Sequence, residues 1–254
     1  MIFTFSGTGN SYYVAKQISE ATGVKMVDLA AATRYERYGY DAQGEDVGFV
    51  FPVYYWGLPS MVAKFAENVR VKNPGHVFCV LTCAGESGAA GEMLQEKLGK
   101  RLAVDAYYDV VMPENAVFYE NPPSEEEAKV ILDQAEPAIR KIVSSIVAKE
   151  KGDFRTVNGA GDMYFHYDED RVTERFHLND KCIECRICED VCPEQIIKVY
   201  HRKPVWDEER CSMCMSCLNL CPKQAIEFGD TTEGRNRYHH PIFYERIIGI
   251  PLKF

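Results

Sequence analysis

The chain is expected to fold as a doubly wound α/β domain with a parallel sheet, followed by a small cysteine-rich α+β module. Two observations predict this. Residues 1–150 alternate short apolar runs with apolar residues at helical spacing, the pattern of strands joined by crossover helices. Residues 182–222 then carry one motif twice, C-x2-C-x2-C-x3-C-P, with every cysteine 29 residues from its counterpart.

The strands follow in order. Residues 1–5, Lys25–Leu29, Val47–Val53, His76–Thr82 and Val104–Met112 each read as a short buried strand, five in all. Between them, Val14, Ala15, Ile18 and Ala21 mark a first helix. A second starts at Pro59 and buries Val62, Phe65, Ala66 and Val69, and a third lies near Ala89–Lys100. The last helix opens with a capping box, Ser124-Glu125-Glu126-Glu127, and carries Ala128, Ile131, Ala135, Ile139, Ile142 and Ile146 on one stripe. Pro137 should kink it.

Composition narrows the function classes. The 254 residues are 46% hydrophobic and 26% charged, as in ordinary globular proteins. No apolar run approaches the ~18 residues of a membrane span. With the strand-like opening Met1-Ile2-Phe3-Thr4-Phe5, no secretory leader is expected. A net charge of −9 disfavours nucleic acid and suits basic docking patches on redox partner proteins.

Ligands of open α/β sheets bind beyond the carboxyl ends of the strands. The turn after the first strand reads Ser6-Gly7-Thr8-Gly9-Asn10-Ser11. Its glycines let the backbone fold around an anion, its hydroxyls can donate to phosphate oxygens, and a helix N-terminus follows. A dinucleotide fingerprint would need glycine at Tyr12, and a Walker loop would need Gly-Lys-Ser/Thr; neither is present. The turn is similar to the FMN-phosphate loop of flavodoxins, and that resemblance extends over residues 1–150. It implies FMN, with the ring system held by Pro52-Val53-Tyr54-Tyr55-Trp56-Gly57 and by the loop containing Cys83, Ala84, Gly85 and Gly88. Aromatic rings there offer flat walls for a flavin, and Gly57 is the candidate for a peptide that flips toward its N5.

Soft thiolates are the ligands that iron–sulfur clusters favour. A disulfide framework would suit a short secreted chain, and zinc sites pair their cysteines across longer spacers, so neither matches the duplicated motif. The motif resembles that of bacterial two-cluster ferredoxins, in which the fourth cysteine of each run ligates the other run's cluster. The resemblance implies one 4Fe–4S cluster on Cys182, Cys185, Cys188 and Cys221, and a second on Cys211, Cys214, Cys217 and Cys192. Ile183, Ile187, Met213 and Met215 lie between the ligands and are expected to keep water from the sulfurs. With the cysteines assigned to metal, a reducing and hence cytoplasmic compartment is expected.

Taken whole, the chain resembles the flavodoxin–ferredoxin fusion proteins of anaerobic bacteria and archaea. The domains expected are a flavodoxin-like FMN-binding domain at 1–150, a connector at 151–180, a ferredoxin-type module at 181–229 and a docking tail at 230–254. The function implied is electron transfer between one-electron partners and bound FMN through the two clusters. The alternative is an FMN-dependent reductase of a small molecule, with the clusters as electron inlet; no catalytic residue is assigned. The aromatic stretch Met163–Tyr167 is expected to pack between the modules. Asn115 and Phe118 are weaker candidates for the flavin border, and Cys79 and Cys83 read as packing residues. Arg235, Arg237, His239 and His240 read as parts of the docking tail, since adjacent histidines chelate poorly.

Overall fold

A computed structural model describes residues 1–157, 163–201 and 203–243. The far end of the expected tail, residues 244–254, lies outside the described residues. In chain order the strands and helices are β1 (Ile2–Thr4), α1 (Asn10–Thr22), β2 (Met26–Asp28), α2 (Leu29–Arg34), β3 (Gly39–Asp41), β4 (Val47–Pro52), α3 (Ser60–Asn68), β5 (Arg70–Lys72), β6 (Val77–Cys83), α4 (Ala90–Leu98), β7 (Ala106–Val111), α5 (Glu125–Val147), β8 (Gly152–Asp153), α6 (Tyr167–Asp170), β9 (Phe176–Leu178), α7 (Ile187–Asp190), β10 (Ile197–Tyr200), β11 (Lys203–Trp206), α8 (Ser216–Asn219) and β12 (Ile226–Phe228). They divide between two compact units. The first takes Met1–Ser6, Asn10–Met112 and Val130–Tyr167; the second takes Gly7–Gly9, Pro113–Lys129 and Asp168–Phe254.

The first unit is built on a six-stranded parallel sheet in the order β2-β1-β4-β6-β7-β8. Strand alternation sorts the side chains onto two faces. Ile2, Val50, Val80 and Val110 are buried together with Val14 and Ile18 of α1 and with Ile139, Ile142 and Ile146 of α5. Phe3, one residue on from Ile2, points the other way and meets Phe49 and Phe65, the latter from α3, at ring distances of 5.4 and 4.8 Å. Helices therefore cover both faces, and β4 and β6 are almost wholly buried and, Thr82 apart, free of polar side chains, as doubly covered strands are.

The sheet has one strand more than expected. Gly152–Asp153 adds a two-residue edge beside β7, in a stretch read as connector. Residues 39–41 and 70–72 also pair, as a separate two-stranded parallel ribbon. Strands this short and exposed leave no apolar periodicity to detect. The capping box forms as read: Ser124 N donates to Glu127 Oε2 at 2.8 Å, and Glu127 N donates to Ser124 Oγ at 3.3 Å. Helix α5 continues across Pro137.

The second unit repeats one arrangement. Each cysteine run is preceded by a strand and followed by another: β9 and β10 for the first run, β11 and β12 for the second. β10 pairs with β11 and β12 pairs with β9, both antiparallel. The strand leaving each run is thus fastened to the strand entering the other. Phe176 of β9 packs edge-on against Phe228 of β12 at 4.8 Å and stacks on Trp206 of β11 at 5.0 Å. Behind β12, Glu227 and Arg237 form an ion pair of 2.7 Å with both side chains about 5% exposed or less. Thr232 Oγ1 also donates to Glu227 Oε2, at 2.6 Å. A buried pair of this kind holds geometry more than it adds stability.

Candidate metal centre

The spacing of the cysteines acts through an unusual backbone. Glu184 and Arg186, on either side of Cys185, are left-handed at φ 62 and 65. Met213 and Met215, on either side of Cys214, repeat this at φ 55 and 54. Gln195 and Gln224, three residues past the last cysteine of each run, match at φ 57 and 47. A left-handed side-chain-bearing residue costs roughly 1–2 kcal/mol, so six of them in matched positions mark a strained loop kept for its shape. The shape curls each loop so that its thiols turn inward. Main-chain amides follow: Met213 N donates to Cys211 Sγ at 3.3 Å, and Ala225 N donates to Cys221 Sγ at 3.2 Å.

The eight thiols gather in two sets. Cys182, Cys185, Cys188 and Cys221 line one cavity, with Ile187 and Val199 among its walls. Burial pushes the Cys188 thiol up to about 12, and its charged neighbours are Cys185, Cys221 and Cys182. Cys211 is pushed up by burial and feels Cys214 and Cys192. Cys214, pushed up to about 12 by burial, also has Cys192 beside it. Each set therefore contains the last cysteine of the opposite run. Cys217 is pushed well up by burial, then by Cys214, Cys192 and Cys211, and finally by Cys188, so the two sets are neighbours.

Residues 164–226 match the family model of a 4Fe-4S dicluster domain. No curated protein matches the chain. The C-terminal part is thus a ferredoxin-like dicluster domain, which supports iron–sulfur electron transfer. The thiol sets fit cubane clusters. Each gathers four sulfurs and gives one of them a main-chain amide donor. Among the described residues, no group of three or more His, Cys, Asp or Glu closes tightly enough for a single ion.

The two halves of the dicluster domain are not equally enclosed. Met213 and Met215 are buried, as expected of residues that exclude water, but Ile183 is 55% exposed and Cys185 is exposed. Cys192 and Cys217 are buried. The first set faces solvent and the second sits inside.

The turn after β1 lies partly in the same unit. Gly9, at φ 107, is the close approach: a side chain there would overlap Phe243 and His240. Thr8 is 1% exposed, its carbonyl accepts from His240 N at 2.7 Å, and its hydroxyl accepts from Asn115 Nδ2 at 2.6 Å. A hydroxyl accepts and donates at once, so Asn115 orients the Thr8 proton without consuming it. Ser11 Oγ shares a 2.7 Å bond with Thr82 Oγ1. Ser6 is half-buried, and Gly7 and Asn10 are buried.

The other expected flavin residues belong to the first unit. Tyr54 and Gly57 exchange main-chain bonds of 3.1 and 2.8 Å around Tyr55 and Trp56, which sit at φ 50 and 60. Gly57, the candidate for a flipping peptide, already donates its N–H to Tyr54, and the Tyr164 ring covers its α-carbon. Pro52 and Val53 are half-buried, Ala84 and Gly85 exposed, Cys83 and Gly88 buried. Cys83 Sγ lies 4.0 Å from Val110 O, and Cys79 is fully buried with its thiol pushed up, both consistent with packing. The segment after Met163 groups with this unit: Tyr164 donates its hydroxyl to Leu58 O at 2.7 Å, and Tyr167 Oη accepts from Ser60 N at 3.1 Å.

Two groups of residues lie outside the expected sites. Asp109 of β7 accepts from Thr156 N, Val157 N and Ser87 Oγ at 2.7, 3.1 and 3.0 Å, which latches the segment after β8 to the sheet. Ser216 and Asn219 of α8 bind the β1 turn and the 113–117 segment. Superposing the two cysteine runs would have singled them out, because their counterparts are Ile187 and Asp190.

Proposed function

We propose that the chain is an electron carrier or electron-transfer subunit, with 4Fe–4S clusters on the two crossed cysteine sets and FMN at the β1 turn. The observation that carries the cluster assignment is the grouping of Cys221 with the first run and of Cys192 with the second. When bound, each cubane would exchange one electron and FMN one or two. The thiolates would hold the irons, and the Cys211 and Cys221 amide contacts would stabilise negative charge on sulfur. Met213 and Met215 would exclude water from the second set. A reducing compartment would keep the thiolates available.

What supports FMN is the Ser6–Ser11 sequence and the strand order β2-β1-β4-β6-β7, which is the order of flavodoxin-like sheets. Thr8 supplies an oriented hydroxyl, and α1 begins at Asn10.

The cluster reading is tested by iron and sulfide content, expected at about eight of each per chain. Cys192→Ala should damage the cluster that also depends on Cys211, Cys214 and Cys217, and Cys221→Ala the other. If each variant damages the cluster of its own run, the crossed assignment is wrong. The flavin reading is tested by fluorescence titration: FMN should bind more tightly than riboflavin, and Thr8→Glu should cut that preference by about tenfold or more, ~1.4 kcal/mol. Equal affinity of the wild type for the two would end it.

A further inference from the structure

Ser216 stands where the second cysteine set meets the β1 turn. Its hydroxyl donates to Gly7 O at 2.6 Å and lies 3.2 Å from Cys214 Sγ. The residue is 1% exposed, so water does not compete for either bond. Three residues on, Asn219 Nδ2 donates to Asn115 O at 2.9 Å, and Asn115 in turn donates to Thr8. Helix α8 therefore reaches the Gly7–Gly9 turn by two routes, one through each of these side chains.

The internal repeat supplies a control. Helix α7 is the same element 29 residues earlier, and at the matching positions it carries Ile187 and the exposed Asp190. Ile187 has no hydroxyl to offer Cys185. The two copies share their cysteines and their left-handed residues, and differ at this contact.

We propose that Ser216 is a positioning residue that raises the reduction potential of the second cluster alone and couples that cluster to the Gly7–Gly9 turn. This rests on the reading that the second set holds a 4Fe–4S cluster. A hydrogen bond to a ligating sulfur favours the more negative, reduced form of the cluster. Ser216 has one proton and two acceptors, Cys214 Sγ and Gly7 O. When the cluster gains an electron, its sulfur becomes the stronger acceptor and draws the hydroxyl from the carbonyl. The proton stays on Ser216, and no covalent bond is made or broken. By linkage, a ligand that changes the Gly7–Gly9 turn shifts the potential of this cluster and not of the other.

Anaerobic potentiometric titration followed by electron paramagnetic resonance reads the two clusters separately, with Cys185→Ser used to identify the exposed one. Ser216→Ala should move one cluster to lower potential, by up to about tenfold in its reduced-to-oxidised ratio, ~59 mV for one electron. Ser216→Thr, which keeps the hydroxyl, should leave both where they were. If Ser216→Ala loses iron while Ser216→Thr behaves as wild type, the positioning role stands. The inference fails if both clusters move together, if neither moves, or if Ser216→Thr shifts as Ser216→Ala does. A wild-type chain without about eight irons would instead defeat the cluster reading itself.

Discussion

Tyr55 and Trp56 are held in a backbone region where large side chains are rarely found. The turn survives because its surroundings fix it. Ala89 N donates to Trp56 O at 2.9 Å, and Trp56 Nε1 donates to Glu86 Oε2 at 2.7 Å. Tyr167 lies 5.5 Å from both Tyr55 and Tyr164, ring to ring. Strain of this kind collects at functional positions. Gly57→Ala should therefore destabilise the first unit by about 1–3 kcal/mol, because the new methyl meets the Tyr164 ring. Thermal melts of Gly57→Ala, Tyr164→Ala and the double variant would check this: the double should be more stable than the sum of the singles predicts. Pro52–Gly57 was legible as a loop of interest from its aromatics and its place after a strand. The left-handed turn and the Tyr164 cover were not, since Tyr164 lies over a hundred residues away from Leu58 and Gly57 in sequence.

At the scale of elements, the segment around His240 closes over the β1 turn. Burial, and after it the neighbouring His239, lower the His240 imidazole to about 4. His239 is itself lowered by burial, although Glu125 favours its charge. His240 in an opened chain titrates near 6.5, so between about 6.5 and 4 the open form binds a proton that the packed form refuses. Packing is fully stable above about pH 6.5 and weakens as pH falls toward 4, by on the order of 3 kcal/mol at most. Exchange of the His240 amide, which is bonded to Thr8 O, should accelerate over that window beyond its intrinsic rate, and His240→Asn should abolish the effect. The cysteine runs were the most legible elements, because ligand spacing is local. The short ribbon of β3 and β5 and the edge strand β8 were invisible, because two or three exposed residues carry no period. Asn115 and Phe118, the weaker candidates for the flavin border, belong to the cysteine unit, where Phe118 meets Phe228 at 5.8 Å. Nothing in their own stretch of sequence foretells that.

For the whole molecule, the proposed pairing of an FMN site with the dicluster domain in one chain would raise the effective concentration of each redox group at the other. After rapid chemical reduction, the rate at which electrons leave the cluster absorbance for the flavin absorbance should be independent of protein concentration. A rate that rises in proportion to concentration would mean transfer between molecules, and the intramolecular reading would be abandoned. Among the described residues, no helix is long and apolar enough to cross a membrane. The parallel sheet and the dicluster domain were both foreseeable, because each rests on a repeated pattern. The division into units was not, because three residues near the start of the chain join its far end.

That last feature has a consequence in time. During synthesis Gly7–Gly9 leaves the ribosome long before Asn115, Ser216 and His240, which hold it. At about 5–20 residues per second, the turn waits on the order of ten to fifty seconds for its final partner. The sheet can assemble while the turn is still bare. A newborn chain would therefore meet any phosphate-bearing molecule before His240 and Phe243 arrive to close over it.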